Sequence, residues 1–573
     1  MSLITASILK EGTVRARETQ MNNIDAARII SGFVRTTLGP CGMDKMLITT
    51  SGDETLTKIP ITIVTNDGAE ILKNIDVQHP VAKILVEVAK AQDSEVGDGT
   101  TSAVVLAGEL LNMAQKLMKR KIHPNIIIEG YKKAFEKAKE ILNDIAIEVD
   151  KNDDEMLKKV AITSMGGKNV AMAKEHLADI AVKAVKQIAE ERDGKIKADI
   201  DNIKILKKHG QGLKESELVK GMVVEREYYQ EIESQSSRMP ERVENAKIIL
   251  VRSAFDLDRG AVIFAREMRV EKPEQLTLFI DGEKKILKDM VEKIASAGAN
   301  VLFCEKALDD VAIHYLIRKG IMAMKRVKEK DMERIAKAID ARIVSHMEDI
   351  GPDAIGEAGM VEEVKVGESK LIYIRDCKDP HALTILLRGG AEHVVDEAKR
   401  SIHDALCVVR NVLEDGKIVA GGGSPEAELS RQIRSFATNI LGREQLAVEA
   451  FADALEVIPT ALAENAGLDP IDILVELRAK HEKSDNSWYG VDVFSGKIED
   501  MRKLNVLEPL RVKQQMIKSA VEATCMILRI DEAVCAKTME EKEEGLEERL
   551  KEREKRISGK KRRWKQSPVW VPR

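Results

Sequence analysis

Apolar residues recur at helical spacing along most of the first 150 positions. The clearest run, from Ala103 to Met118, follows the segment Val96-Gly97-Asp98-Gly99-Thr100-Thr101-Ser102 and predicts a buried helix that begins at a tight turn. Two short strand-like runs are typical of a hairpin. The sequence therefore predicts a mostly helical N-terminal part, with helices near 10–37, 69–72, 81–92 and 124–147 and hairpin strands near 45–48 and 59–64.

The pattern changes between residues 150 and 371. Helical runs at 156–162 and 171–190 are followed by apolar strand-like runs that alternate with helices, a pattern that favours a sheet covered by helices. The predicted strands of this sheet lie at 246–251, 276–280, 301–304, 322–324 and 342–344. The segment 255–268 mixes apolar and charged residues, so a helix packed on the domain and an exposed apolar arm both fit, and packing is favoured.

The C-terminal third is again helical. A strand ending at Gly389-Gly390 precedes a helix over 391–412, and the glycine run at 421–423 precedes helical patterns over 426–480 and 510–536. From residue 539 an acidic block is followed by a basic one, which predicts a frayed helix or a disordered tail.

Composition narrows the class of protein. The 573 residues are enough for several domains, and 33% charged against 3% aromatic residues indicates long helices with charged faces. The net charge of −5 argues against a nucleic-acid binder. The six cysteines form no Cys-x-x-Cys pair, so neither a zinc site nor a disulfide framework is indicated. Because no signal peptide and no membrane-spanning run is found, we expect a cytoplasmic protein.

Several glycine- and aspartate-bearing loops suggest phosphate chemistry. At residues 97–102, glycines allow close approach of a phosphate, free N–H groups favour an anion, and Asp98 suits Mg²⁺. An ordinary helix with Thr or Ser at its N-cap fits the same letters. The loops at 38–42, 65–68, 163–168 and 420–423 are ambiguous in the same way. No P-loop or Rossmann fingerprint is present, so convergence on one nucleotide requires both chain ends to form one domain.

Seven short motifs, in this order and spacing, resemble those of group II chaperonin subunits, the family of the archaeal thermosome and the eukaryotic cytosolic chaperonin. The resemblance covers residues 10 to 537. Its motifs are Thr37-Leu38-Gly39-Pro40, Asn66-Asp67-Gly68, Gly97-Asp98-Gly99-Thr100-Thr101, Leu387-Arg388-Gly389-Gly390, Ala420-Gly421-Gly422-Gly423, Glu464-Asn465-Ala466-Gly467-Leu468-Asp469 and Glu508-Pro509-Leu510-Arg511-Val512-Lys513.

The resemblance implies a multidomain α and α/β fold. A mostly helical equatorial domain would comprise 1–152 and 410–538, and a small α/β intermediate domain 153–221 and 372–409. An α/β apical domain would comprise 222–371, with a helical lid protrusion near 255–268, and 539–573 would be a flexible charged tail.

The resemblance also implies an ATP- and Mg²⁺-dependent site. Asp67 and Asp404 would flank the attacking water, and Asp98 would bind Mg²⁺. The nucleotide would be bound by Leu38, Gly39, Pro40, Gly68, Gly99, Thr100, Thr101, Ser102, Lys168, Gly422 and Glu508.

The implied function is an ATP-driven chaperone subunit. Such a subunit joins other chaperonin subunits in a double ring that encloses non-native proteins, and ATP hydrolysis closes its lid; no nucleic acid or membrane is a partner. Cys41 stands where the family usually has lysine, and the arm 255–268 and the charged tail also depart from the family. We therefore infer a diverged paralogue. The alternative to an ATP-driven chaperone is a mainly structural subunit of mixed rings with a weak ATPase. A metabolic ATP-dependent enzyme is disfavoured because 222–371 holds no recognisable small-substrate site.

Overall fold

The N-terminal part of the chain is a set of helices around one hairpin. The computed structural model describes residues 16–51, 59–151, 153–167, 173–226, 239–252, 273–345, 349–366, 369–378, 380–482 and 487–531. Up to residue 151 its elements are α1 (Ala16–Arg35), β1 (Lys45–Ser51), β2 (Ile59–Thr65), α2 (Gly68–Asn74), α3 (Pro80–Val96), α4 (Thr100–Lys119), α5 (Pro124–Ile145) and β3 (Ile147–Glu148). Strands β1 and β2 pair antiparallel, which confirms the predicted hairpin.

Two helices and four short strands follow. They are α6 (Asp154–Ser164), α7 (Lys174–Ile188), β4 (Ala189–Arg192), β5 (Lys195–Ala198), β6 (Ile203–His209) and β7 (Glu217–Val219). Strands β6 and β7 flank a later strand, β15 (Leu383–Gly389), in a three-stranded layer. Buried residues of α6 and α7 pack with this layer in one apolar cluster.

The middle of the chain forms a seven-stranded sheet with helices on both faces. Its elements are β8 (Gly221–Arg226), β9 (Arg242–Val251), α8 (Pro273–Ala297), β10 (Val301–Cys304), α9 (Asp310–Arg318), β11 (Met322–Met324), α10 (Glu329–Ile339), β12 (Ile343–Val344), β13 (Ile355–Val366) and β14 (Ser369–Cys377). The strands of the sheet run in the order β11-β10-β9-β13-β14-β8, and β12 also pairs with β9. The side chains of β9 alternate, because Ile248 and Leu250 face one apolar cluster whereas Ile249 and Val251 face the other.

One predicted strand of this sheet is wrong. Residues 276–280 lie inside helix α8, which begins at Pro273 and ends before Gly298, where φ is +89°. Proline at a helix start and a left-handed glycine at its end are ordinary helix signals. A five-residue run rich in apolar residues fits both a strand and a buried helix, and here the flanking Pro273 and Gly298 indicate the helix.

The last part of the chain returns to helices. After β15 come α11 (Glu392–Asp415), β16 (Lys417–Ala420), α12 (Ser424–Ala437), α13 (Glu444–Leu455), α14 (Val457–Asn465), α15 (Pro470–His481), β17 (Tyr489–Asp492), β18 (Lys497–Asp500), β19 (Leu507–Pro509) and α16 (Leu510–Leu528). Strand β14 continues through the domain boundary predicted at 371, and helix α11 continues through the one predicted at 409. The domain limits stay predictions, and the arm 255–268 and the tail 539–573 lie outside the described residues.

Both ends of the chain share one apolar core. Buried residues of α1 to α5 pack with those of α12, α13 and α16 in a single cluster. Tyr131 of α5 meets Phe451 of α13 edge to face at 5.8 Å and donates a 2.8 Å hydrogen bond to the Leu110 carbonyl of α4. Gly108 of α4 lets α1 approach closely, because a Cβ there would lie 2.1 Å from Ser31 Oγ. This core is the mostly helical body that the sequence predicts.

No helix among the described residues meets the length and hydropathy needed to cross a membrane.

A buried ion pair joins the three-stranded layer to the seven-stranded sheet. Lys204 Nζ of β6 lies 2.7 Å from Asp331 Oδ2 of α10, and their side chains are 12% and 9% exposed. Burial lowers the pKa of Lys204, and the nearby Asp331 carboxylate opposes this shift. Lys337 of α10 also donates to Asn202 Oδ1 at 2.7 Å. Helix α10 is therefore attached to the layer mainly by polar contacts.

We expect Lys204→Met to loosen α10, because the substitution leaves Asp331 buried with only Arg334 as a more distant partner at 3.6 Å. Breaking one half of a buried pair costs about 3 kcal/mol. Amide exchange across α10 should accelerate about 100-fold. Arg192→Met, which removes an exposed ion pair with Glu190, should change exchange little. Equal, small effects of both substitutions would contradict the role given to the Lys204–Asp331 pair.

Candidate functional site

The turn between α3 and α4 leaves the start of α4 without a side-chain cap. Gly97 ends α3 with φ +73°, and Gly99 precedes α4 with φ +75° and makes no capping side-chain contact. The alternative of a helix capped by Thr or Ser is therefore not what forms. The first N–H groups of a 20-residue helix carry a partial positive charge, so this turn favours an anion.

The loop 66–68 lies directly against this turn. Thr100 Oγ1 donates a 3.2 Å hydrogen bond to Asp67 Oδ1. A Cβ on Gly68 would lie 2.4 Å from Thr101 Oγ1, so only glycine allows this approach. Asp67 also caps α2 by accepting hydrogen bonds from the N–H groups of Ala69 and Glu70, and its carboxylate is therefore fixed in place.

The loop 38–40 is held by Asn465, a residue for which the sequence predicts no role. Asn465 Nδ2 of α14 donates to the carbonyls of Arg35 at 3.0 Å and Leu38 at 2.8 Å. Asn465 belongs to one of the seven motifs that resemble the family, and this membership was the signal in the sequence that could have identified it. Leu38 packs against the helical core, and Gly39 has φ +82°.

A third loop joins the first two. Asn66 Nδ2 donates to the carbonyl of Gly167. A Cβ on Gly167 would lie 2.9 Å from the Gly39 carbonyl oxygen and 3.5 Å from Pro40 Cα. The loops at 38–40, 66–68 and 166–167 are therefore in mutual contact. Lys168 lies outside the described residues, and its assignment stays a prediction.

Helix α11 packs on the same turn and places Asp404 beside it. The side chains of Arg410 and Asn411 donate to the carbonyls of Glu95 at 2.8 Å and Val96 at 3.0 Å. A Cβ on Gly97 would lie 2.3 Å from Cys407 Cβ, so α11 and the turn are in close contact. Asp404 precedes Cys407 by three residues, on the same side of the helix.

The pKa of the Cys407 thiol is affected by the carboxylates around the turn. Burial is the largest effect and raises the pKa of Cys407 to about 12. Arg410 opposes the shift, and the negative charges of Asp404, Asp93 and Asp98 add to it. Asp404 and Asp98, 306 positions apart in the chain, therefore lie around one side chain.

The glycine run and Glu508 meet through a strand pair. Strand β16 pairs antiparallel with β19, with Val419 opposite Glu508. A Cβ on Gly421 would lie 2.9 Å from Glu508 Oε1. Burial raises the pKa of Glu508, and Lys513, 2.8 Å from Glu508 Oε2, opposes that shift. The charges of Glu426 and Asp98 also raise this pKa.

Two of the predicted site residues, Gly422 and Ser102, do not contact another loop of the candidate site in the ways described above. Gly422, with φ +63°, packs on the β17–β18 hairpin, where its carbonyl accepts from the Val491 N–H at 2.9 Å. Ser102 lies partly buried in the first turn of α4. The loop 66–68 contacts the start of α4, and the loop 38–40 contacts residues 166–167, which in turn contact Asn66.

The donor set fits a magnesium ion that arrives with its ligand. No group of three or more His, Cys, Asp or Glu side chains suited to a metal occurs among the described residues. Mg²⁺ in phosphate-binding sites is held by one or two carboxylates together with phosphate oxygens. Asp98, which accepts a hydrogen bond from the Gly99 N–H at 2.6 Å, could supply such a carboxylate.

Comparison with known proteins identifies the class. Residues 30–538 match the model of the TCP-1/cpn60 chaperonin family, and the chain belongs to that family. It is 54% identical over 534 residues to a thermosome subunit of Methanopyrus kandleri, covering 93% of this chain and 95% of that protein. It is 52% identical over 540 residues to thermosome subunit beta of Archaeoglobus fulgidus, covering 94% and 96%.

A solved structure supports the same assignment. The open-state monomer of a group II chaperonin from Methanococcoides burtonii matches with a TM-score of 0.57 and 45% sequence identity, covering 76% of this chain and 100% of that one. The resemblance to group II chaperonins and the multidomain α and α/β fold class are thereby confirmed.

We expect Asn465→Ala to loosen the loop 38–40, because it removes two hydrogen bonds worth about 1 kcal/mol each. Amide exchange over residues 38–43 should accelerate about tenfold or more, while the fold is retained. Asn143→Ala is a matched control, since Asn143 is exposed and donates to the Lys139 carbonyl within α5. Unchanged exchange in Asn465→Ala would show that the loop is held by other contacts.

We expect the thiol of Cys407 to resist alkylation in the folded protein. With a pKa raised to about 12, it stays protonated at pH 8 and even at pH 10, where an ordinary thiol is already ionised. Iodoacetamide labelling followed by mass spectrometry should modify the partly exposed Cys41 first, and Cys407 only after unfolding. Equal labelling rates in the native protein would contradict the burial of Cys407 against the turn.

Proposed function

We propose that this chain binds and hydrolyses ATP as a subunit of a double-ring chaperonin that encloses non-native proteins. The uncapped start of α4, with Asp67, Asp98 and Asp404 close to it, carries this proposal. Such an arrangement suits a polyphosphate whose terminal group is attacked by water, a reaction that depends mainly on positioning and charge stabilisation. The thermosome relatives point to the same activity.

Different residues would contact different parts of the nucleotide. Gly99, Thr100, Thr101 and Ser102 bind phosphate oxygens through N–H and hydroxyl groups, and Gly68 allows the second loop to come close. Leu38, Gly39, Pro40 and Gly422 line the nucleoside side, Glu508 binds the ribose, and Lys168 approaches the terminal phosphate. Asp98 would hold Mg²⁺, which when bound neutralises phosphate charge.

Asp67 and Asp404 are both candidates for orienting the attacking water. Asp67 is fixed in place by hydrogen bonds from the start of α2 and from Thr100. Asp404 is carried on α11, which also packs against the three-stranded layer through β6 and β15. Hydrolysis would then depend on how this layer sits on the helical body.

We propose the family's domain assignment for the three parts of the fold. The helical body would be the equatorial domain (1–152 and 410–538), and the three-stranded layer with α6, α7 and the part of α11 up to residue 409 would be the intermediate domain (153–221 and 372–409). The seven-stranded sheet would be the apical domain (222–371), and its strand β14 continues across this boundary to Cys377. The arm 255–268 would act as lid and client contact.

An exposed apolar strip supports assembly with other subunits. Ile29, Met43, Met46 and Ile48 on α1, the following loop and β1 are each more than 60% exposed, and Phe33 is 40% exposed. Apolar patches of this kind are characteristic of protein interfaces. Archaeoglobus fulgidus has similar subunits named alpha and beta, so both homo- and hetero-oligomeric rings are proposed.

A mainly structural role in mixed rings is the second candidate. The observation that favours it is Cys41, which follows the proposed nucleotide loop and lacks the positive charge usual in the family. A weak ATPase in the chain alone, restored by other subunits, would be the expected sign.

We expect Asp404→Ala to retain nucleotide binding and lose hydrolysis, because only a group that orients water is removed. The turnover number in Mg²⁺ should fall about 100-fold or more, the range of general-base removal. Asp396→Ala is the matched control on the same helix, since Asp396 pairs with Lys207 instead. Unchanged turnover in Asp404→Ala would refute its assignment. Binding without hydrolysis in the wild-type chain would favour the structural role.

A further inference from the structure

Lys513 occupies an unusual position between two carboxylates beside the proposed site. Its Nζ lies 2.8 Å from Glu508 Oε2 of β19 and 2.9 Å from Glu426 Oε1 of α12. The side chains of Lys513 and Glu426 are 5% and 1% exposed, whereas that of Glu508 is 22% exposed. Glu508 is thus the member of the cluster that faces outward.

Glu426 anchors the lysine from behind. Its carboxylate is fully buried, and Oε2 has no hydrogen-bond partner among the described residues. A buried carboxylate is costly unless a cation lies next to it, so Glu426 fixes the Lys513 ammonium in the protein interior. Both carboxylates raise the pKa of Lys513, against the effect of its burial.

The lysine acts on Glu508 in two ways. Burial, Glu426 and Asp98 all favour the protonated form of Glu508, and Lys513 favours the ionised form. Lys513 also contacts Oε2, which leaves Oε1 toward the Gly421 backbone, where a Cβ would lie 2.9 Å away. The ammonium therefore sets both the charge and the orientation of this carboxylate.

We propose that Lys513, anchored by Glu426, is a positioning residue that holds Glu508 as an ionised, fixed acceptor for ribose hydroxyls and so lets the site distinguish ribonucleotides from deoxyribonucleotides. The inference rests on the proposed function, in which Glu508 binds the ribose. It adds to that proposal a specificity for ribonucleotides, and it assigns a role to Lys513 and Glu426, which make no contact with the ligand.

The site can distinguish ribonucleotides from deoxyribonucleotides because the Glu508 carboxylate is a hydrogen-bond acceptor. An ionised carboxylate accepts hydrogen bonds from hydroxyl groups, and a ligand that lacks a hydroxyl leaves this partly buried acceptor unpaired. Sites built around such a polar contact reject the analogue far more strongly than apolar pockets do. A freely rotating or protonated Glu508 would lose most of this selectivity.

The test compares dissociation constants for ADP, 2′-deoxyADP and 3′-deoxyADP, measured by calorimetry on the assembled full-length protein without hydrolysis. We expect the wild-type protein to prefer ADP over at least one deoxy analogue by about tenfold or more, as for hydrogen bonds to charged groups. Lys513→Met alone leaves two buried carboxylates and endangers folding. The principal variant is therefore the double substitution Lys513→Met with Glu426→Gln, which removes the cation and its anchor together.

The double variant should bind the deoxy analogue nearly as the wild type does and bind ADP more weakly, so that the preference falls to about threefold or less. Glu508→Leu, which removes the hydrogen-bond acceptor, should give the same loss. Arg511→Met is the matched control on the same helix; it removes a paired cation that contacts Glu414 and Asp415 instead, and it should retain the preference.

Each outcome separates the two levels of inference. A wild-type preference retained in the double variant would overturn the positioning role of Lys513, and a preference retained in Glu508→Leu would overturn it as well, by removing Glu508 from the ribose. In both cases nucleotide binding, and with it the proposed function, would stand. No binding of ADP by the folded wild-type protein would instead overturn the proposed function.

Discussion

The close contact between α11 and the α3–α4 turn is the constraint on which the site depends. Because Gly97 has no side chain, Cys407 of α11 packs directly on the turn, and Arg410 and Asn411 bond to its carbonyls. The same helix also packs on β6 and β15. Helix α11, which carries Asp404, therefore links the three-stranded layer to the start of α4, and the geometry of the site follows from the position of this helix.

The second constraint is charge. Asp67, Asp98, Asp404 and Glu508 surround the start of α4, while the nearby Lys513 is already shared between two carboxylates. Helix N–H groups alone attract an anion with the strength of about half a unit charge. A polyphosphate entering such a site needs a divalent cation to offset repulsion from the carboxylates. Nucleotide and Mg²⁺ are therefore expected to bind together, with Asp98 as one ligand.

The sequence predicted the long helices, the hairpin and the helical body well, because each has a strong local period. Residues 276–280 were misassigned since four apolar residues and Thr277 fit both a strand and a helix, and the flanking Pro273 and Gly298 indicate the helix. The contacts of Asn465 with residue 38 and of Glu426 with Lys513 span 427 and 87 positions. No local pattern carries such pairings; the family motifs include Leu38, Asn465 and Lys513, and no motif includes Glu426.

The insertion of the sheet between two halves of the helical body has a consequence for assembly of the site. Loops 38–40, 66–68 and 97–102 come from the N-terminal half, whereas Asp404, Gly421 and Glu508 come after the insertion. Helix α16 closes the body by packing against α3, α4 and α5, so the site is complete only when both ends are joined. A ligand that binds only the joined form stabilises it in proportion to its occupancy. Nucleotide binding and closure of the helical body are therefore one thermodynamic unit, even though their residues lie more than 400 positions apart.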